Sequence, residues 1–139
     1  MYKLASFFIA FFIVFSLISC YKDEGLTSNV SASWIAGKKW KIDYYKVFND
    51  NVPTEYSVYK EYTLKFESNF DVNADTQIEI RNGRWIVYSG VSSNILQITY
   101  PQYLKDVWQL SGNWVIVDQQ MNTLLLRQSN IEMHLTVIE

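Results

Sequence analysis

Cysteine is nearly absent from this sequence, since Cys20 is the only one among 139 residues. A single cysteine excludes internal disulfides and thiolate metal clusters. Glycine is also scarce, and because the five glycines are scattered singly, no glycine-rich loop is available to cradle a phosphate. An excess of basic charge is missing as well: 12 basic and 14 acidic side chains give a formal net charge of −2. The clustered basic face that nucleic-acid binding requires is therefore not expected.

Apolar residues are abundant but unevenly placed along the chain. Hydrophobic types make up 49% of the residues and aromatic types 17%, and six of the 23 aromatic residues fall within the first 15 positions. Without residues 1–19 the chain has 120 residues, of which 11 are basic and 14 acidic, so the formal charge becomes −3. This length predicts one domain that buries roughly 65% of its unfolded surface around a single core.

The N-terminal segment is typical of a targeting sequence. Lys3 precedes an apolar stretch over 4–17, which is shorter than the roughly 20 residues that a transmembrane helix needs. The sequence LISC at 17–20 resembles the lipobox of bacterial lipoproteins, in which the cysteine thiol accepts diacylglycerol before cleavage. We therefore expect a lipoprotein signal peptide over 1–19 and a lipidated Cys20. A cleaved signal peptide followed by a free thiol is the alternative.

A polar, aperiodic segment follows the cysteine, so that residues 20–33 are expected to form an acylated, flexible tether. As a flexible coil this segment has a root-mean-square reach of roughly 20 Å, which lets the domain stand off the bilayer. Lys22, Asp23 and Glu24 resemble the surface-export signal of Bacteroidetes-type lipoproteins, and a solvated, charged start of the tether is the alternative. The resemblance implies a lipid-anchored protein of the outer membrane that faces the cell surface, with the periplasmic face as the alternative location.

From residue 34 onward the sequence predicts β-structure. Apolar and polar residues alternate over 69–81, which indicates a long antiparallel strand with one buried and one wet face. Asn82 and Gly83 then form the strongest short-range signal for a type I′ hairpin turn. We expect a returning strand over 84–88, whose apolar residues on both faces leave its inward side undecided.

Six further segments show the same alternation or β-rich composition, and with the hairpin they bring the number of predicted strands to eight. These segments are 40–47, 62–67, 96–100, 113–118, 123–128 and 131–138. Eight sequential antiparallel strands favour an all-β, up-and-down barrel, which closes its own edges, and a β-sandwich is the alternative. The adjacent Tyr44 and Tyr45 predict a β-bulge that changes the phase of Val47.

A single helical turn is predicted just before the first strand, over 31–36. Gly37 would end this turn in the left-handed conformation, which glycine adopts without strain. Trp34 and Ile35 would then close the mouth of the barrel.

Four short motifs resemble the lipocalin-like domains of Bacteroidetes-type lipoproteins. They are WIAGKKWKI at 34–42, YTLKF at 62–66, NGRW at 82–85 and NWVI at 113–116. The resemblance covers residues 34–139 and implies an eight-stranded lipocalin-like barrel. It also implies that a basic residue covers the first-strand tryptophan, and Arg127 is the nearest candidate. One departure is that Gly37 and Trp40 lie three residues apart, whereas lipocalins carry Gly-x-Trp on the first strand.

No catalytic constellation is evident in the sequence. His134, the only histidine, shares the polar side of the last strand, so a surface position is expected rather than a role as a base or ligand. Asp71, Asp75 and Glu79 lie four residues apart on one strand face, and a spacing of roughly 13 Å between them is too long for a shared metal. The sequence therefore predicts a protein that is not an enzyme and uses no cofactor or metal.

Binding through aromatic residues is the remaining functional expectation. Six aromatic residues have inward parity and are candidates to line a ligand cavity: Trp40, Tyr44, Tyr62, Phe66, Phe70 and Tyr100. Tyr45, Tyr56 and Tyr59 are candidates for an outer aromatic patch that contacts a partner. Two functions follow: an anchored barrel that binds a small apolar or aromatic ligand, or a structural or interaction subunit of an outer-membrane complex. An empty interior would favour the ligand-binding function. A filled core with an exposed aromatic patch would favour binding to another protein of the cell envelope.

Overall fold

A computed structural model describes residues 32–139 of the chain. The expectations for the signal peptide, for Cys20 and for Lys22, Asp23 and Glu24 lie outside the described residues. Within residues 32–139, no helix is long and apolar enough to cross a membrane.

Almost all regular structure in the described residues is β-structure. One short helix, α1 (Ala32–Ile35), and two 3₁₀-helices, Ser57–Tyr59 and Trp108–Leu110, accompany nine strands. The strands are β1 (Lys39–Asn49), β2 (Val52–Glu55), β3 (Thr63–Phe66), β4 (Asp71–Asp75), β5 (Ile80–Ser89), β6 (Asn94–Thr99), β7 (Gly112–Gln119), β8 (Thr123–Gln128) and β9 (Ile131–Val137).

Eight of the strands close into an antiparallel up-and-down barrel, as the sequence predicts. Strands β3 to β9 are neighbours in chain order. Strand β1 pairs with β3 on one side and with β9 on the other, and these pairings close the barrel. The additional strand, β2, pairs with the C-terminal part of β1, from Lys46 to Asn49. The short β3 pairs only with the start of β1, from Lys39 to Lys41. Strand β2 was missed because VPTE is exposed throughout and contains Pro53, which an edge strand tolerates.

The connections of the barrel alternate between its two ends. One end, called here the tether end, carries α1, the turns at 67–70, 90–93 and 120–122, and the C-terminus. The opposite end, called the far end, carries the remaining connections: 50–51, 56–62, 76–79, 100–111 and 129–130. The segment that precedes residue 32 therefore joins the barrel at the tether end.

The predicted hairpin has its turn in a different place. Strand β4 ends at Asp75, the chain reverses over 76–79, and Asn82 and Gly83 lie within β5 opposite Asn73 and Val72. The prediction of a type I′ turn at 82–83 is wrong. The actual turn is stabilised by hydrogen bonds from polar side chains, which a pattern of alternating apolar and polar residues does not reveal. The Asp75 Oδ1 atom accepts the Gln77 N–H at 2.9 Å, Thr76 Oγ1 donates to Glu79 O at 3.0 Å, and Gln77 adopts φ 73°.

The predicted bulge in β1 is present, but it lies one residue earlier. The register against β9 shifts between Ile42 and Tyr44, so that Asp43 and Tyr44 together oppose His134. After the shift, Tyr45 faces inward and is 1% exposed, while Tyr44 lies on the outer wall. Because side chains alternate with a period of two, this displacement by one residue exchanges the two tyrosines between core and surface.

The predicted helical turn before β1 is confirmed. Gly37 has φ 77° after α1 and donates its N–H to Phe66 O at 2.7 Å, which ties the turn to the end of β3. Ile35 is fully buried at the tether end, and Trp34 is half-buried against Trp40, with 5.4 Å between the ring centroids.

Candidate functional site

Three buried tryptophans attach the closing segments to the barrel. Trp40 donates its indole N–H to Ile35 O at 3.4 Å, Trp85 donates to Glu67 O at 3.0 Å, and Trp114 donates to Leu110 O at 2.9 Å. The first two bonds hold segments at the tether end, and the third holds the long connection at the far end. Each indole ring thus adds apolar area to the core, and its only polar group, the N–H, donates a hydrogen bond to a backbone carbonyl.

The interior between these closures is occupied by large side chains. Trp40, Phe66, Trp85, Tyr100 and Trp114 are all less than 2% exposed. Their rings are in mutual contact in several places, as at Phe66 and Trp85, whose centroids lie 5.2 Å apart in an edge-to-face arrangement. An eight-stranded barrel of this size can be filled by its own side chains, and the burial of so many aromatic residues describes a packed core.

The residues predicted to line a cavity divide into two groups. Trp40, Tyr62, Phe66 and Tyr100 are buried inside the barrel. The inward assignment is wrong for Tyr44, which the bulge turns outward, and for Phe70, which is 44% exposed at the tether end. Phe70 has φ 68° in the turn between β3 and β4, and this backbone conformation removes it from the alternation of the following strand.

The residues predicted to form an outer aromatic patch are also divided. Tyr45 and Tyr59 are buried, so that part of the prediction is wrong, whereas Tyr56 is 41% exposed. Tyr45 donates its hydroxyl to Gln109 O at 3.2 Å and contacts the Tyr59 ring, with centroids 4.8 Å apart. Burial raises the pKa of Tyr45 to about 12 and also raises the pKa of Tyr59. These two hydroxyls anchor the far end from within.

A different set of exposed apolar residues lies at the far end, on a surface formed by the connections 56–62, 76–79 and 101–110, called here the far surface. Its exposed large apolar side chains are Tyr56, Val58, Ile78, Tyr103 and Trp108. Ile78 is 91% and Tyr103 78% exposed. Sequence patterning assigned Ile78 to a buried strand face, so this residue could not be recognised as exposed before the turn at 76–79 was located.

Side-chain bonds join the three connections of the far surface into one unit. Tyr59 donates its hydroxyl to Gln109 Oε1 at 3.3 Å, and Gln77 Nε2 donates to Glu61 O at 3.0 Å. Arg81, near the start of β5, donates its Nε–H to Asp106 Oδ2 at 2.8 Å and so ties the connection 101–110 to the barrel wall. The connections are consequently fixed relative to one another, and the surface they form is preorganised for a rigid contact.

The seam between β1 and β9 carries a polar network on the outer wall. Asp43 Oδ2 lies 2.8 Å from His134 Nδ1 and accepts the Thr136 hydroxyl, and the His134 ring stacks on Tyr44 at 5.4 Å. The surface position expected for His134 is confirmed, with its side chain 28% exposed. Sequence reasoning missed Asp43 as its partner because only the bulge brings the two together.

The same network continues through Glu132. This carboxylate accepts the Tyr44 hydroxyl at 2.9 Å and the Arg127 guanidinium at 2.8 Å. The Arg127 guanidinium holds the pKa of Glu132 below its usual range, and burial with the bond to Glu132 raises the pKa of Tyr44 to about 12. Arg127 is therefore committed to the outer wall and does not cover Trp40 as expected. Lys38 lies over that ring instead, with Nζ 5.8 Å from its centroid.

The outer surface of residues 32–139 also carries at least two grooves. One, of about 590 Å³, runs along β4, β5 and the end of β6 and is lined by residues such as Asn73, Asn82 and Pro101. A second, of about 510 Å³, lies at the far end between the turns at 50–51 and 129–130. No group of three or more histidine, cysteine, aspartate or glutamate side chains within residues 32–139 is placed to hold a metal ion.

Comparisons of the whole chain with protein-family models, with curated proteins and with solved structures found no match.

Proposed function

We propose that the protein is a lipid-anchored, non-catalytic interaction subunit of the bacterial outer membrane, and that its far surface binds another envelope protein. Cys20 would carry the acyl chains, and the tether would lead to the barrel, with Lys22, Asp23 and Glu24 directing the domain to the cell surface. The lipocalin-like barrel would serve as a rigid support and not as a container.

The observation that carries the proposal is the contrast between a packed interior and an exposed apolar far surface. Groups of exposed apolar side chains mark interaction sites on soluble proteins, and five such side chains lie on the three connections of the far surface. Tyrosine and tryptophan, which contribute strongly to protein interfaces, are present here as Tyr103 and Trp108. The hydrogen bonds among the three connections hold the chain segments that carry the exposed side chains, which lowers the entropy lost on binding.

The position of the far surface agrees with such a role. It lies at the end of the barrel opposite the segment that leads to Cys20. A partner that approaches this end is not obstructed by the membrane to which the tether would be attached.

The test is photo-crosslinking in cells that express the full chain. A photoreactive amino acid replaces Ile78 or Tyr103 on the far surface, and in a matched control it replaces Ile86, which is 42% exposed on the outward face of β5. We expect one discrete crosslinked protein from both far-surface positions and none from position 86. The double substitution Ile78→Asp with Tyr103→Asp should abolish co-purification of that protein.

Native mass spectrometry of the gently purified protein separates this proposal from ligand binding. A stoichiometric small molecule, retained in the absence of any crosslinked partner, would overturn the interaction role and favour a ligand-binding barrel. A protein complex that dissociates in the Ile78→Asp, Tyr103→Asp variant would support it.

A further inference from the structure

The turns at the tether end present apolar side chains at their tips. Val91, between β5 and β6, is fully exposed, and Met121, between β7 and β8, is 79% exposed. Phe70, between β3 and β4, and Ile138, after β9, are exposed by 44% and 46%. Every connection of the barrel wall at this end, and the C-terminal segment, thus carries one large exposed apolar residue.

Charge is almost missing from the same turns. Among the eleven residues of the turns 67–70, 90–93 and 120–122, only Glu67 is charged, and its carboxylate lies 2.9 Å from Lys65 Nζ. The far end differs, because its connections include Asp50, Lys60 and Glu79 among other charged residues. The other charged residues at this end, such as Lys38 after α1 and Glu139 at the C-terminus, lie outside these three turns. Binding to the interfacial layer of a bilayer strengthens with the apolar area that it buries, and the exposed tips of the turns supply such area.

The chain itself brings this end close to the membrane. Residues 21–31 separate Cys20 from α1, and a chain of eleven residues spans at most about 40 Å even when it is fully extended. A surface held at that distance meets the bilayer at a high effective concentration, so contacts that would be too weak to recruit a free protein suffice to hold a tethered one.

From these three observations we infer that the tether end of the barrel docks on the bilayer that holds the anchor, with Phe70, Val91, Met121 and Ile138 in the interfacial layer. The inference rests on the proposed lipid anchor at Cys20. It revises the expectation that the domain stands off the membrane, and it orients the far surface outward from it.

The experiment uses the full acylated chain in vesicles of phosphatidylethanolamine and phosphatidylglycerol that contain a lipid with a doxyl group on its acyl chain. Single substitutions Val91→Cys and Met121→Cys provide sites for an NBD fluorophore, and Ile78→Cys on the far surface is the matched control. Because acylation converts the Cys20 thiol to a thioether, the unsubstituted protein should take up no fluorophore, which checks the anchor within the same preparation.

We expect doxyl lipid to quench NBD several-fold more at positions 91 and 121 than at position 78, with a blue-shifted emission at the first two. Equal quenching at all three positions, or none at 91 and 121 in protein that floats with the vesicles, would overturn the docking while leaving the anchor intact. Failure of the anchor is recognised separately: the unsubstituted protein would then accept the fluorophore at Cys20 and would not float with the vesicles.

Discussion

Gly83 lies against the Tyr100 ring inside the barrel, with so little space that a Cβ atom added to Gly83 would come within 2.7 Å of Tyr100 Cδ1 and 2.6 Å of Thr99 O. Glycine is required at this point of β5 by the close approach of an aromatic ring and a backbone carbonyl. The Tyr100 hydroxyl is itself fully buried and has no hydrogen-bond partner among residues 32–139, and burial raises its pKa above the usual range.

Substitution Gly83→Ala should therefore destabilise the protein. Since the carbonyl belongs to the paired backbone of β5 and β6, it cannot move aside, and overpacking of this kind costs about 1–3 kcal/mol in the free energy of unfolding. Urea denaturation would measure the loss. Asn82→Ala, at the exposed neighbouring position, is the control and should change the free energy by less than about 0.5 kcal/mol. Equal midpoints for Gly83→Ala and the unsubstituted protein would contradict this account of the glycine.

The seam that closes the barrel should depend on Asp43. Its carboxylate bonds to both His134 and Thr136 on β9, and because the group is partly exposed we expect Asp43→Ala to cost about 1 kcal/mol. A double-mutant cycle with Thr136→Val, followed by urea denaturation, would isolate the pairwise part. Fully additive effects of the two substitutions would show that Asp43 and Thr136 do not interact in solution.

Stability should fall in alkaline solution because of the buried tyrosines. The pKa of Tyr45 is about 12 in the folded protein against 10.0 for a free tyrosine, so the folded state holds the proton more tightly. The stabilisation that comes from this protonated hydroxyl is fully present below pH 10. It is lost as the pH rises toward 12, so that the free energy of unfolding falls by about 1.4 kcal/mol per pH unit. Denaturation midpoints measured between pH 8 and pH 12 should fall less steeply in Tyr45→Phe. Tyr103→Phe, which alters an exposed tyrosine, should keep the original slope.

Acylation should depend on Cys20. The motif LISC at the end of an apolar segment predicts that Cys20→Ala abolishes incorporation of labelled fatty acid and the membrane retention that depends on it. Metabolic labelling and fractionation of cells provide the measurement. Unsubstituted protein that takes up no label would end the lipoprotein interpretation.

Surface display should depend on the three charged residues that follow the anchor. Replacement of Lys22, Asp23 and Glu24 with alanine should preserve acylation and outer-membrane fractionation but remove accessibility to protease added to whole cells. A surface lipoprotein of the same cells serves as the positive control for digestion. If the unsubstituted protein resists protease while that control is cleaved, the domain faces the periplasm.

The sequence alone determined the fold class and the order of the barrel strands. Period-two alternation is a local property of each segment, so most barrel strands could be located without knowledge of their partners. The boundary between β4 and β5 could not, because the alternation continues through the turn at 76–79. The turn at Gly37 was equally predictable, because a left-handed residue after a helical turn is encoded by the glycine itself. What alternation could not locate was β2, since all four of its residues are exposed.

Only the tertiary structure decided which aromatic residues serve the core and which serve the surface. A one-residue difference in the position of the bulge in β1 placed Tyr45 inside and Tyr44 outside. In the same way, the turn at 76–79 exposed Ile78 and left Gly83 in a strand. The physical reason is that a strand has only two faces: a shift of one residue costs little within the strand itself but reverses every side chain after it, and packing against the other strands is what selects the register.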